Sequence, residues 1–246
     1  MDIHKPRAAR NWREFLVEIG TIICGILIAL SLEQGVDWLH RRHTAQEERE
    51  TLRAVTQTNL NWVSHALSAD ACVTTRITQV QNLLLGWRPG AKLPSPLWIG
   101  RPLTPILDLQ AYDSAASTGR IALLSPDEQA RYGTLQMFFH SLRENEILER
   151  TLWARLRVLE VDPPYNPTLQ AELLLTLQEA KSMHGRMVSG TRQALKIAQP
   201  LQIAPDPHFH PMVAAGVTTP ACVPLNTPRD QALKIFYGTS DRTSEL

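Results

Sequence analysis

Residues 15–32 read FLVEIGTIICGILIALSL, and this stretch predicts a helix that crosses a membrane. Glu18 is its only charged residue. A bilayer core needs about 20 apolar residues, so the run alone is slightly short. Trp12 and Trp38 flank it at a separation of 26 residues, which is about 39 Å of helix and matches the distance between the two membrane interfaces. We therefore predict a membrane anchor over residues 15–38 with one tryptophan at each interface.

The charges around this anchor predict its orientation. Four basic residues precede it: Lys5, Arg7, Arg10 and Arg13. The segment after it carries only Arg41 and Arg42, close to acidic residues. Positively charged flanks stay in the cytoplasm. We therefore expect residues 1–14 on the cytoplasmic side of a bacterial inner membrane and the chain beyond residue 38 in the periplasm.

A cleaved signal peptide is the alternative interpretation of the same run. Ala29-Leu30-Ser31 satisfies the small-x-small pattern of a cleavage site. The helical pattern of apolar residues continues past that point through Leu32, Val36 and Leu39. This continuation favours an uncleaved anchor.

Small residues share one face of the predicted anchor with its only carboxyl group. This face consists of four residues: Glu18, Thr21, Gly25 and Ala29. At 100° per residue they lie within about 60° of one line along the helix. Small residues at four-residue spacing let two helices approach closely in lipid, so the face predicts transmembrane packing against a partner helix or a second copy. The alternative is that Glu18 reaches the cytoplasmic headgroups and that the small residues have no partner.

Beyond the anchor the sequence predicts an all-α bundle over residues 39–198. No glycine or proline occurs between Gly35 and Gly86, which predicts that the anchor continues into a long helix or a helix pair with a bend near residues 68–71. Residues 86–105 contain five prolines and predict an irregular connector. Such a long connector either packs along the helices or has a function of its own.

Two proline-initiated helices complete the predicted antiparallel bundle. Ser125-Pro126-Asp127-Glu128 is a capping box with proline at the first helical position. The helix that it starts ends at Pro163, and Asn166-Pro167 starts another that ends near Pro200. Residues 199–246 contain seven prolines and predict an irregular segment with one short helix, from Arg229 to Tyr237.

Several stretches of the chain carry a resemblance to a known family. They are residues 11–16 (NWREFL), 18–20 (EIG), 25–30 (GILIAL), 72–77 (CVTTRI) and 123–128 (LLSPDE). Together they resemble an uncharacterised family of single-span bacterial inner-membrane proteins. The resemblance extends over most of the chain up to about Leu159 and implies a membrane-anchored helical domain outside the cytoplasm. It implies no activity.

Charge and motifs narrow the function classes. Lys plus Arg number 25 against 24 Asp plus Glu, for a net charge of +1, which argues against a nucleic-acid partner. The sequence contains no phosphate-binding glycine loop, nucleophile elbow, His-Glu-x-x-His or Cys-x-x-Cys motif. We therefore predict that the protein is not an enzyme and has no catalytic, cofactor-binding or metal-binding residues.

The histidines offer the nearest approach to a chemical site. His208 and His210, beside Asp206, bring two imidazoles and a carboxylate close together in the sequence. A proline-rich segment that happens to contain two histidines is the favoured alternative. His184 lies on the apolar face of its helix, which predicts a core histidine with polar partners rather than a catalytic base.

The three cysteines predict one disulfide. Cys24 lies inside the membrane run, whereas Cys72 and Cys222 fall in the part assigned to an oxidising compartment. The remaining pair predicts a bridge that attaches the proline-rich C-terminal segment to the bundle. The alternative is two unrelated free thiols.

Two functions from different classes fit this organisation. The first is a membrane-anchored interaction or scaffold protein that contacts the lipid bilayer and binds another envelope protein or itself. The second is a sensor-like bundle that encloses a small-molecule pocket near Trp87, Trp98 or His184. We expect neither a second membrane span nor a cytoplasmic output domain, and this expectation favours the first hypothesis.

Overall fold

The computed structural model describes residues 12–209 and 219–237. All regular structure in these ranges is helical, as the sequence predicts. The α-helices are α1 (Trp12–Ser68), α2 (Asp70–Gly86), α3 (Gln110–Ser117), α4 (Pro126–Leu156), α5 (Pro167–Ala198) and α6 (Arg229–Tyr237). Short 3-10 helices occur at Arg120–Leu123, Arg157–Val161, Gln199–Leu201 and Pro220–Cys222.

Helix α1 joins an apolar exposed half to the core of the bundle. Within the described chain it is the one helix that is long and apolar enough to cross a membrane, and no part of its most apolar stretch is buried. Leu52, Leu60 and Val63, further along the same helix, are buried in the bundle. A single residue, Ala69, separates α1 from α2 and lies inside the predicted bend.

Helices α4 and α5 pack antiparallel and form the largest helix pair. The predicted capping box is present: Ser125 Oγ accepts from the Glu128 amide, and the Glu128 carboxylate accepts from the Ser125 amide. Glu128 also accepts two hydrogen bonds from Arg49 at 2.6 and 3.0 Å. The same carboxylate therefore caps α4 and ties α4 to α1, and the hydrogen bond from Arg49 lowers the pKa of Glu128 to about 2.

Helices α1 and α2 together run along the length of α5 in the opposite direction. Arg53 on α1 donates to the Gln202 carbonyl just beyond the C-terminal end of α5. Asp70, at the start of α2, contacts His184 in the middle of α5. Gln170 near the start of α5 donates to the Leu84 carbonyl at the end of α2. The end of α2 is therefore the end of the bundle that lies furthest from the apolar half of α1.

The irregular connector packs along the helices on its return path. Leu93, Leu97 and Ile99 are buried in the apolar core. Asn59 of α1 then fixes the far end of the connector, because its side-chain amide donates to the Asp108 carbonyl at 2.7 Å and accepts from the Asp108 amide at 2.8 Å. Of the two roles that the sequence allowed for this connector, packing along the helices is confirmed.

The described parts of the C-terminal segment are largely irregular, as predicted, and two of them are held against the bundle. Residues 202–209 follow α1: Gln57 donates to the Ala204 carbonyl, and Asn61 accepts from the Asp206 amide. Residues 219–237 cross the connector, where the Trp98 amide donates to the Leu225 carbonyl at 2.7 Å.

Helix α2 provides the anchor for this second part. The Cα atoms of Cys72 and Cys222 lie 5.3 Å apart in the disulfide pair, so the predicted proximity of these cysteines is confirmed. One turn further along α2, Arg76 is 2% exposed. Its guanidinium donates to the carbonyls of Trp98, Ile99 and Val223. Burial lowers the pKa of Arg76 to about 10, although the nearby Glu160 charge opposes this shift.

Replacing Arg76 is expected to destabilise the protein strongly. Arg76→Met removes every hydrogen bond to these carbonyls, and hydrogen bonds to charged groups each contribute about 1.5 to 3 kcal/mol. We expect the free energy of unfolding to fall by at least about 3 kcal/mol, with a smaller loss for Arg76→Lys, which keeps a single donor group. Denaturant unfolding followed by tryptophan fluorescence measures the change. Arg155→Met, at an exposed arginine of α4, is the control, and an equal loss in both variants would contradict the anchoring role of Arg76.

Candidate functional sites

A groove of about 300 Å³ opens where the connector, the end of α4 and the C-terminal segment meet. Its lining includes three arginines, Arg101, Arg157 and Arg229. Apolar side chains complete the wall: Trp98, Leu233 and Phe236. These six residues come from three parts of the chain that are far apart in sequence, so tertiary folding alone brings them together.

Close backbone contact builds one wall of this groove. The Trp98 indole nitrogen donates to the Pro220 carbonyl at 2.9 Å. Gly100 has a φ of 66°, and a Cβ atom there would collide with the Pro220 carbonyl. Glycine is therefore required at this position both for its left-handed conformation and for the close approach of the two segments. The Arg101 carbonyl accepts from the Ala221 amide at 3.0 Å and from the Thr219 hydroxyl at 2.8 Å.

The arginines of the groove differ in how far their charge is already paired. Arg157 Nε lies 3.3 Å from a Glu160 oxygen, and its guanidinium lies 5.9 Å from the centre of the Trp98 ring. Arg101 donates to the Thr104 hydroxyl at 2.7 Å. Arg229 is exposed and forms no hydrogen bond or ion pair with the described residues. The lining contains no acidic side chain, so the groove carries excess positive charge.

A second polar site lies at the centre of the bundle. His184 of α5 contacts two carboxylates: its Nε2 lies 3.0 Å from Asp70 of α2, and its Nδ1 lies 3.4 Å from Glu149 of α4. The side chains of His184 and Glu149 are 11% and 6% exposed. Arg192 lies 3.5 Å from the other oxygen of Asp70. The histidine therefore links three helices, in agreement with the predicted core histidine with polar partners.

This environment changes the pKa of His184. Burial by itself disfavours the charged imidazolium, but the hydrogen bonds and charges of Glu149 and Asp70 favour it and prevail. The pKa is therefore raised above its ordinary value of 6.5. Among the described residues, no group of three histidine, cysteine or acidic side chains is placed to hold a metal ion.

The predicted membrane face lies on the exposed half of α1. Thr21 donates to the Val17 carbonyl at 2.8 Å, and a Cβ atom at Gly25 would meet nothing within 4 Å. Glu18 and Ala29 lie on the same exposed half. This half makes no contact with the bundle that would cover the face, so the packing of these four residues stays a prediction.

The tryptophans predicted at the membrane interfaces are exposed, whereas those predicted near a ligand pocket are buried. Trp12 and Trp38 are 72% and 56% exposed on α1. Trp87 is 3% exposed and packs edge-on against Tyr165 at 5.5 Å between ring centres, so it offers little surface to a ligand. Trp98 lines the groove that contains Arg101, Arg157 and Arg229, which we call the arginine groove.

Some site residues could not be found from the sequence, and one predicted residue lies outside the structure described. Arg101, Arg157 and Arg229 have no common motif or spacing. His208 is described, but His210 lies outside the described residues, so the pairing of these two histidines stays open.

Comparison with known proteins yields no relative. No protein-family model, no curated protein and no solved structure matches this chain. The resemblance to single-span inner-membrane proteins therefore stays an expectation, and function has to be argued from the geometry.

The stability of the bundle is expected to depend on the protonation of His184. The folded-state pKa is raised, so the charged histidine stabilises the fold fully below a pH of about 6.5. This contribution is lost as the pH rises through the folded-state pKa. We expect the thermal midpoint to fall over this range and His184→Gln to remove that part of the pH dependence. His43→Gln, at a histidine whose side chain is 75% exposed, is the control, and an unchanged pH profile in His184→Gln would contradict the prediction.

Proposed function

We propose that this protein is a membrane-anchored helical scaffold, without enzymatic activity, that binds another envelope protein or a second copy of itself. The continuity of α1 carries this proposal. One helix contains both the exposed apolar stretch and the buried residues Leu52 and Leu60. A helix without a break transmits position and orientation, so the bundle stays fixed relative to the anchor.

The bundle stands at a defined distance from the proposed membrane. Glu48 is the first buried residue after Trp38, and the helix between them is about 15 Å long. Arg42 lies over the Trp38 ring at 5.3 Å, which suits a position at the polar headgroups. Residues 39–47 of α1 therefore leave room for a partner close to the membrane surface.

Contact within the membrane is the second element of the proposal. Glu18, Thr21, Gly25 and Ala29 share one face of α1, and no part of the described bundle covers it. Close packing on this face would shelter the Glu18 carboxyl group from lipid, where a charged group is costly. The proposed occupant of the face is the transmembrane helix of a partner or of a second copy.

The proposed location is a bacterial inner membrane with the bundle in the periplasm. The basic residues before the anchor support this orientation, because positive flanks remain in the cytoplasm. The Cys72–Cys222 pair supports it independently, because disulfides persist in oxidising compartments.

A second candidate function is the binding of a small molecule by the bundle. The groove beside Trp98 favours it, because three arginines and apolar side chains converge there on an open volume of about 300 Å³. This function is compatible with the scaffold role, since the groove and the membrane face are at opposite ends of the molecule.

Reporter fusions test the orientation. We expect alkaline phosphatase fused to the C-terminus to be active and a green fluorescent protein at the same position to be dark, because phosphatase needs the oxidising periplasm. Fusions after residue 14 are expected to give the opposite result. An inactive phosphatase together with a fluorescent C-terminal fusion would refute the proposed orientation.

Crosslinking in membranes tests the partner face. Gly25→Leu places a large side chain where close helix approach is proposed, so we expect the crosslinked species to decrease severalfold. Gly20→Leu is a matched control, because position 20 lies about 200° around the helix from Glu18. A Cβ atom at either glycine meets nothing within 4 Å in the isolated chain. Equal crosslinking in both variants would show that this face carries no interaction.

A further inference from the structure

The arginine groove has unused capacity to bind an anion. Arg229 forms no hydrogen bond or ion pair with the described residues. Arg157 uses only its Nε atom toward Glu160, and its two terminal nitrogens donate to no other described residue. Guanidinium groups bind carboxylates and phosphates through paired hydrogen bonds. The lining contains three guanidinium groups and no acidic residue, so an anion here would be attracted by all three arginines.

The apolar wall indicates the rest of the ligand. Trp98, Leu233 and Phe236 lie beside the arginines in the same groove. A volume of about 300 Å³ is at the small end of the range for organic ligands. We propose that this groove binds a small organic anion in which a carboxylate or phosphate monoester is attached to a flat apolar ring.

The groove is formed before any ligand enters, which lowers the cost of binding. Trp98 and Arg101 are held to the C-terminal segment by the Pro220 carbonyl, the Ala221 amide and the Thr219 hydroxyl. Glycine at position 100 allows the connector to approach Pro220 closely, and the Cys72–Cys222 disulfide holds the C-terminal segment to α2. Arg101 is therefore carried by backbone that the C-terminal segment already holds in place.

The position of the groove separates it from membrane lipid. Trp98 is bound to Arg76 of α2, and Arg76 lies about 57 Å of helix beyond Trp38. Lipid headgroups of the anchoring membrane are at the Trp38 level, so they do not reach the groove. The proposed ligand is a freely diffusing solute.

This inference specifies the ligand of the second candidate function and does not depend on the scaffold role. The test uses the full chain in nanodiscs of zwitterionic lipid and equilibrium dialysis against radiolabelled benzoate. We expect saturable binding with one site per chain, absent from empty nanodiscs. Phenyl phosphate should compete comparably. Benzamide, which lacks the charge, and inorganic phosphate, which lacks the ring, should each compete at least about tenfold more weakly.

Arginine variants locate the binding site. Arg229→Gln removes an exposed charge that has no partner among the described residues, so the fold should remain intact by circular dichroism while benzoate affinity falls about tenfold. Arg155→Gln is the matched control, because Arg155 is an exposed arginine two residues before Arg157 but outside the lining of the groove. We expect its affinity to be unchanged at an ionic strength that screens distant charges.

Four results would overturn the inference. They are the absence of saturable benzoate binding, equal competition by benzamide, equal competition by inorganic phosphate, and unchanged affinity in Arg229→Gln. If benzoate does not bind but the crosslink that depends on Gly25 is present, the ligand site is refuted and the scaffold role stands. If benzoate binds but no crosslinked species forms, the scaffold role is refuted and the ligand site stands.

Discussion

The buried guanidinium of Arg76 holds together the parts of the chain that have no regular structure. The connector and the C-terminal segment cannot satisfy their own peptide groups through helical hydrogen bonds, and buried peptide groups need partners. Arg76 donates to carbonyls of both segments. Glu160 binds the N–H groups of the same connector: its carboxylate accepts from the amides of Ile99 and Gly100 at 3.0 and 3.3 Å. A positive and a negative side chain thus bind successive peptide groups of the same connector residues.

This arrangement also determines the chemistry of the arginine groove. Glu160 contacts Arg157, which in turn lies over the Trp98 ring, and Trp98 is bound to Arg76. The charges therefore form a connected series from the bundle interior to its surface. Because Glu160 is nearly buried and already has several partners, it neutralises the groove only in part, and Arg101 and Arg229 add charge that nothing in the lining opposes.

The sequence predicted the features that depend on local chemistry. The capping box at Ser125 and the glycine-free, proline-free run after Gly35 act through neighbouring residues, so the start of α4 and the continuous course of α1 past Gly35 could be derived from them. The end of α4 could not, because the α-helix stops at Leu156 and a 3-10 helix takes the chain on towards Pro163. The pairing of Cys72 with Cys222 followed from elimination among three cysteines. The anchoring role of Arg76 could not be recognised from the sequence, because its position on the helix is like that of an exposed arginine. Only the folded structure shows that the connector covers it. The same applies to the partners of His184, which come from two other helices.

The Cys72–Cys222 disulfide and the Arg76 guanidinium both hold the C-terminal segment, but they act on different states of the chain. Cys72 and Cys222 are 150 residues apart, and closing such a loop restricts mainly the unfolded chain, by about 4 to 5 kcal/mol in the chain-entropy model. Ordering a residue costs about 1 to 2 kcal/mol of backbone entropy, so the disulfide alone cannot fix residues 219–237. Burial of Val223, Ala232 and Phe236 and the hydrogen bonds of Arg76 must contribute the remainder in the folded state. A covalent link therefore keeps the segment near α2, whereas the guanidinium determines the conformation in which the segment completes the groove.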